Sequence, residues 1–258
     1  RIDETDYLRD TLSKSLEELK ADQRAAREIQ ERILPDDVED IEGLHIEYAM
    51  QASLVLSGDF LDILRLRDGR VLFYLADVSG HGASSALVTV LLKNITSRVM
   101  RSYHNEKSTT PDNPDALLAL FNRELLLTSL GKHLTIFVGL IDQHANSLDY
   151  AIGGHHPMPI LVQGGAARSL GGRGMPIGLF EEPSFERHQV ELDEKFELFL
   201  FSDGILEVLG GDNLDEKEQN LRTLCERAGQ TPEAILQTVT AEVETQPDDV
   251  AVMMVSRR

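Results

Sequence analysis

The sequence is poor in cysteine and in positive charge, and it has no tryptophan. A single Cys225 excludes an intrachain disulfide and any cysteine-based zinc site. Within its helical pattern it reads as a small buried apolar residue. Lys and Arg number 25 against 44 Asp and Glu, a formal net charge of −19. No basic cluster offsets this, so neither nucleic acid nor an anionic membrane is an expected partner: phosphate-rich surfaces are bound through grouped Lys and Arg. No apolar run approaches the roughly 18 residues that suggest a membrane span. The charged N-terminus has no signal-like core, and the expectation is a cytoplasmic protein. The chain opens at Arg1, in mid-helix and without Met, which suggests a piece of a longer chain. Gly171, Gly172 and Gly174 lack the Gly-Lys-Ser/Thr that a phosphate-binding P-loop needs.

What is present divides at Pro35. Residues 1–34 contain no Gly or Pro, and Leu12, Leu16, Leu19, Gln23, Ala26, Gln30 and Ile33 recur at alternating four- and three-residue steps. That is a heptad seam carrying two glutamines. It reads either as a short dimerising coiled coil joined to an upstream domain or as one amphipathic helix packed on its own domain. Asp10 with Lys14 and Glu28 with Arg32 are spaced for helical ion pairs. The organisation expected is a linker helix over 1–35 and a larger domain over 36–258. In the larger domain, short apolar runs at 44–50, 60–66, 70–78, 133–142, 147–154, 158–163, 186–192, 197–202 and 250–256 predict strands. Helical patterns occupy 83–103, 112–130, 213–228 and 232–244. Successive hairpins with helices between them predict an α+β fold of antiparallel sheets covered by helices, without the βαβ alternation of a doubly wound sheet.

Acidic turns carry the chemistry. Asp59, Asp203, Asp248 and Asp249 each lie beside glycine or another Asp, Asp77 lies three residues before Gly80, and each borders an apolar strand-like run. Carboxylates released at strand ends can point into one cleft. Several of them together suit a hard divalent cation, which prefers oxygen ligands. The alternation from Val71 to Val78 is read as burying one face and leaving Asp77 to emerge at the strand end. Taken singly, each Asp could equally be a turn residue or a helix cap.

The strings SGDFLD (57–62), DVSGHG (77–82), YAIGGHHPMPIL (150–161), GMPIGL (174–179), LFSDGILEV (200–208) and PDDVAVMMV (247–255) resemble, in order, the motifs of the SpoIIE/RsbU-type serine phosphatases. These belong to the PPM metal-dependent protein phosphatases. The helix ending in EIQERILPDD (28–37) resembles the segment that precedes such domains, with the nearest likeness to the output domain of RssB-like response regulators. The resemblance implies an αββα sandwich, two Mn²⁺ or Mg²⁺ ions, and an upstream receiver domain. It also implies a phosphorylated anti-sigma-factor antagonist of STAS type as substrate, with in-line attack of water and no phosphoenzyme. By motif position, Asp77 would bridge the metals and the Val78 carbonyl would bind one. Asp203 and Asp248 would hold the second, Asp59 would act on the first directly or through water, and Asp249 joins the set as neighbour of Asp248.

Three departures stand out: Ser57 where a glycine is usual, Leu61 where an aromatic is common, and Ala251 where a Thr commonly follows the acidic pair. None removes a carboxylate, which argues against the rival reading of an inactive adaptor. Other residues invite roles. His81 is a candidate general acid, the His155–His156 pair reads as structural hydrogen-bonded histidine, and Arg173 is the candidate for the substrate phosphate.

Overall fold

Two antiparallel sheets carry the fold in the computed structural model, which describes residues 2–80, 82–227, 229–241, 243 and 246–257. In chain order the first half comprises α1 (Ile2–Ile33), β1 (Val38–Ile41), β2 (Leu44–Gln51), β3 (Asp59–Arg65), β4 (Val71–Val78), α2 (Ala83–His104) and α3 (Pro114–Leu127). The second half comprises β5 (Leu134–Asp142), β6 (Ser147–Gly153), β7 (Ile160–Gln163), β8 (Ala166–Ser169), β9 (His188–Glu191) and β10 (Phe196–Phe201), then α4 (Gly204–Val208), α5 (Leu214–Cys225), α6 (Pro232–Thr240) and β11 (Val250–Arg257). One sheet has the order β1-β2-β11-β10-β7-β8 and the other β3-β4-β5-β6-β9.

Three apolar layers hold these elements together. Between the sheets, Leu61, Phe73, Phe137 and Tyr150 meet Ile46, Leu198, Met253 and Val255. Helices α2 and α3 cover the outer face of the five-stranded sheet, with Val88, Leu92 and Phe121 on Leu72, Tyr74 and Val138. Helices α4, α5 and α6 cover the other sheet through Ile205, Leu221 and Ile235 on Phe199, Val252 and Met254. The result is the expected αββα sandwich. Both faces of each sheet are buried, so the central strands read as continuous apolar runs rather than alternating ones. Here the one-face reading of Val71–Val78 is corrected. Val71, Phe73 and Leu75 enter the inter-sheet layer, while Leu72, Tyr74 and Ala76 enter the helix-covered layer.

Most predicted elements are present within a residue or two. The exceptions have local causes. β1 and β8 escape the sequence reading because VEDI and AARS are four-residue edge strands with half-exposed polar faces. The predicted helix from 112 begins at Pro114, with Asn113 as N-cap and Asp112 in a 3-10 turn, because proline favours the first helical position. Cys225 is buried. No described helix is long and apolar enough to cross a membrane.

Helix α1 divides along its length. Gln30 is buried, and Ile33 and Leu34 pack against the layer under α2. Leu12, Leu16 and Leu19 are 61%, 46% and 54% exposed. Among the described residues the ion pairs along α1 are Asp6–Arg9 at 3.3 Å, Arg9–Asp10 at 3.9 Å and Arg27–Glu31 at 2.7 Å, in place of the two expected from spacing.

Candidate active site

Strand parity aims the acidic residues. On β3, Leu61 and Ile63 face the inter-sheet layer, and Asp59 shares their face; on β4, Asp77 shares the face of Phe73 and Leu75. The register places Asp59 directly opposite Asp77. The six-stranded sheet repeats the arrangement. Asp249 shares the parity of Ala251 and Met253 at the mouth of β11, and Ser202 follows Leu198 and Leu200 beyond β10. The site therefore lies where the ends of strands from the two sheets meet.

Glycines allow the backbones to close on one another. A Cβ at Gly58 would lie 2.8 Å from the Val78 carbonyl oxygen, and one at Gly204 would lie 2.0 Å from that of Asp249. The first contact joins the entrance of β3 to the loop after Asp77, where the Val78 amide donates to the Gly58 carbonyl at 3.2 Å. The second brings the Asp203 turn onto the Asp248–Asp249 loop. Neither glycine can be replaced without moving a loop that carries a carboxylate.

The charges show the convergence. Burial raises Asp59 well above the ordinary carboxylate range, and Asp77, Asp249 and Asp203 push it further, while a hydrogen bond from the Ser202 hydroxyl acts in the opposite direction. Asp77 is pushed up to about 8, first by burial, then by the charge of Asp203 and a hydrogen bond with it, and then by Asp248 and Asp249. The structure thus gathers all five acidic residues named from sequence into one mutually repelling cluster.

The five differ in what their oxygens already do. Asp249 is saturated. Its Oδ1 accepts from the Ser53 amide at 2.7 Å and the Ser53 hydroxyl at 2.8 Å, and its Oδ2 accepts from the Ser57 hydroxyl at 3.0 Å and the Gly58 amide at 2.7 Å. Four donors fill the four lone-pair directions of a carboxylate. Asp59 is the opposite case: buried, with Oδ2 lacking any hydrogen-bond partner among the described residues. A buried acceptor without a donor is costly. A divalent cation would satisfy it and relieve the repulsion, so this donor set of oxygens fits Mn²⁺ or Mg²⁺. Among the described residues, no three His, Cys, Asp or Glu side chains form a ready-made cage. The fit therefore rests on the donor chemistry.

Residues that the sequence reading gave no part are built into the same site. Ser57 bonds Asp249 through its hydroxyl, which also accepts from the Asp59 amide at 3.0 Å. The serine in place of a usual glycine is thus part of the clamp. The Ser202 hydroxyl accepts from the Ala251 amide at 2.8 Å and donates to the Asp249 carbonyl at 3.4 Å. Gln30 of α1 reaches Ser57, and Lys132 reaches the loop after Asp77. A cleft of about 710 Å³ leads to Asp59 past Ser57, Gln30, Tyr48 and Thr231. The serines adjoin acidic motif residues and could be suspected from that position. Gln30 and Lys132 carry no such signal.

The remaining expectations fare differently. His81 lies outside the described residues. His155 is buried but not hydrogen-bonded as expected: among the described residues neither ring nitrogen has a partner, and the ring packs beside Phe137 with centroids 6.1 Å apart. Burial, with help from His156, pushes it down to about 3, so it is neutral. Arg173 is exposed on the segment that Gly174 bridges to Phe185.

Comparison with known proteins agrees with this architecture. The phosphoserine phosphatase RsbP of Bacillus subtilis (strain 168) is 27% identical over 189 residues, covering 73% of this chain and 46% of RsbP. The chain spans less than half the length of the curated relatives it matches. Among solved structures, the SiaA-PP2C domain of Pseudomonas aeruginosa superposes with a TM-score of 0.76 at 20% identity, over 93% of this chain and 97% of that one. The RsbU and RsbW domains of Rv1364c from Mycobacterium tuberculosis give 0.65 at 22% identity, over 83% and 60%. The family model of Stage II sporulation protein E (SpoIIE) matches residues 67–258, which takes in Asp77, Asp203 and the Asp248–Asp249 pair. With the two-sheet sandwich around those carboxylates, which has the fold of the SiaA-PP2C domain, this match establishes that the chain belongs to the SpoIIE family.

Proposed function

We propose that this domain hydrolyses phosphoserine on a protein substrate with the help of two Mn²⁺ or Mg²⁺ ions. The observation that carries the reading is the partnerless, buried Oδ2 of Asp59, directly opposite Asp77 in a cluster of carboxylates. When bound, such ions supply an acidified water and a clamp for the phosphoryl oxygens. Asp59 and Asp77 from one sheet, with Asp203 and Asp248 from the loops of the other, are the ligands proposed, together with the carbonyl of Val78. Asp249 is assigned a supporting part, since its lone pairs hold Ser53, Ser57 and Gly58. It fixes the loop that delivers Asp59. The Ser202 hydroxyl bonds the Asp249 carbonyl and so ties the end of β10 to the Asp248–Asp249 loop.

The substrate proposed is a phosphorylated anti-sigma-factor antagonist of STAS type. Residues 1–35 act as a linker helix and 36–258 as the output domain of a longer signalling chain with an upstream receiver. The phosphoserine phosphatase RsbP and a similar structure that contains RsbU and RsbW domains support this class of substrate. The test is release of phosphate from a phosphoserine-bearing antagonist protein, with Mn²⁺ and with a chelator. Mn²⁺-dependent release that the chelator abolishes is the expected result. Tight binding of the phosphoprotein without release would favour an adaptor instead.

A further inference from the structure

The loop after Asp77 is held from outside the acidic cluster. Lys132 lies just before β5, and its Nζ donates to the Ser79 carbonyl at 2.9 Å and to the Ser85 hydroxyl at 3.2 Å. Ser85, at the start of α2, donates in turn to the Gly80 carbonyl at 2.9 Å and the Ser79 carbonyl at 3.2 Å. The backbone is tied at the same place. The Ser79 amide donates to the His133 carbonyl at 2.9 Å, and the His133 amide to the Ser79 hydroxyl at 3.2 Å. Gly80 has φ 74°, and a Cβ there would lie 3.2 Å from Nζ, so the loop is shaped around the ammonium.

We propose that Lys132 is a positioning residue for the metal site: its ammonium fixes the Ser79 carbonyl and, through the Ser85 hydroxyl, the Gly80 carbonyl, and thereby turns the Val78 carbonyl toward the cation. This rests on the metal-dependent reading given above. The physical basis is that the Val78 carbonyl shares one rigid peptide unit with the Ser79 amide, which the His133 carbonyl holds at 2.9 Å, and pinning the next carbonyl, that of Ser79, restricts the two Ser79 dihedrals about which that unit could turn. A charge-assisted hydrogen bond is the stronger kind of pin. Partners that orient a ligand without touching the metal commonly govern affinity about 10- to 100-fold.

The test uses calorimetric binding of Mn²⁺ alone, and hydrolysis of p-nitrophenyl phosphate, on the whole chain. Lys132→Met keeps the length of the side chain and removes the donor. The expected result is Mn²⁺ binding weakened by about tenfold or more, an unchanged KM at saturating Mn²⁺, and recovery of affinity in Lys132→Arg. Unaltered Mn²⁺ affinity in Lys132→Met overturns the proposal. So does a raised KM with unaltered affinity, which would put the ammonium on the substrate phosphate. If Lys132→Met does not fold, Ser85→Ala removes the second contact. A loss of Mn²⁺ affinity there supports the proposal, and none overturns it. A wild-type chain that binds Mn²⁺ but releases no phosphate defeats the phosphatase reading while leaving the role of Lys132 measurable. One that binds no Mn²⁺ defeats both.

Discussion

Gln30 satisfies both backbone groups of Ser57: its Nε2 donates to the Ser57 carbonyl at 2.7 Å, and the Ser57 amide donates to its Oε1 at 3.1 Å. The same Nε2 reaches the Thr89 hydroxyl of α2 at 3.2 Å. One side chain of the N-terminal helix therefore fixes the residue that leads into Gly58 and Asp59. Gln30→Leu keeps the bulk and leaves the buried Ser57 amide and carbonyl without these partners. The expected cost is about 1–3 kcal/mol in urea unfolding, the range for stranding buried polar groups, together with weakened Mn²⁺ activation of phosphatase activity. A variant as stable and as active as wild type would show that the contact is incidental.

Asp248 and Asp249 are expected to part company on substitution. Asp249→Asn replaces one acceptor with an amide donor, facing Ser53, Ser57 and Gly58, all of which also donate. Hydrogen bonds to a charged acceptor contribute about 1.5–3 kcal/mol each, so this variant should lose several degrees of melting temperature even in chelator. Asp248→Asn keeps an oxygen that can accept from the Asp249 amide, as Oδ1 does at 2.8 Å, and should abolish the Mn²⁺-induced rise in melting temperature. The opposite pattern would exchange the roles assigned to the two residues.

Much of this site was legible in sequence because the chain spends recognisable residues on it. An Asp with a glycine at the end of an apolar run announces a carboxylate at a strand terminus, and five such positions do converge. Antiparallel sheets covered by helices followed from hairpins interleaved with helices, and their αββα layering from the family resemblance. What stayed hidden depends on contacts between residues far apart in the chain. Asp249 reaches Ser57 across 192 positions and Lys132 reaches Ser79 across 53. Nothing local distinguishes that aspartate from its neighbour or that lysine from any other. The parity of β4 misled for a different reason. Helices cover the sheet's outer face, so Asp77 is aimed by which layer Phe73 and Leu75 enter, and no polar face marks it.

The acidic cluster should make stability in chelator fall as pH rises. Asp77 is ordinary when unfolded and raised to about 8 when folded, chiefly by burial and then by Asp203. Between these values the folded chain holds a proton that the unfolded chain has released, and linkage then lowers stability with increasing pH. The contribution is full below about pH 4, the ordinary Asp range, and is lost as the pH passes 8. Melting temperatures in chelator should drop across this window. Mn²⁺ should offset the drop at the alkaline end, and Asp77→Asn should flatten the dependence. A chelated wild type that gains stability from pH 5 to 8 would contradict the raised carboxyl.

The last prediction concerns the outer half of α1. Below Gln30 the helix is seated on its own domain, but Leu12, Leu16 and Leu19 continue the seam on an exposed face, with Tyr7 and Leu8 beside them. An apolar stripe without a cover on a helix of this kind suits a second helix in the knobs-into-holes manner of a coiled coil. A seam of about three turns is marginal, since short helices gain little from pairing, so the dimer should be weak and dependent on concentration. Light scattering should show mass rising with concentration for the whole chain and a constant monomer for Leu12→Asp/Leu19→Asp. A version lacking residues 1–21 retains Gln30 and the packed half of α1, and it should also be monomeric. If pairing biases the Gln30–Ser57 contact, phosphatase turnover should track the dimer fraction in the whole chain and be independent of concentration in both variants. Equal mass and equal turnover in all three would reduce the outer half of α1 to a spacer.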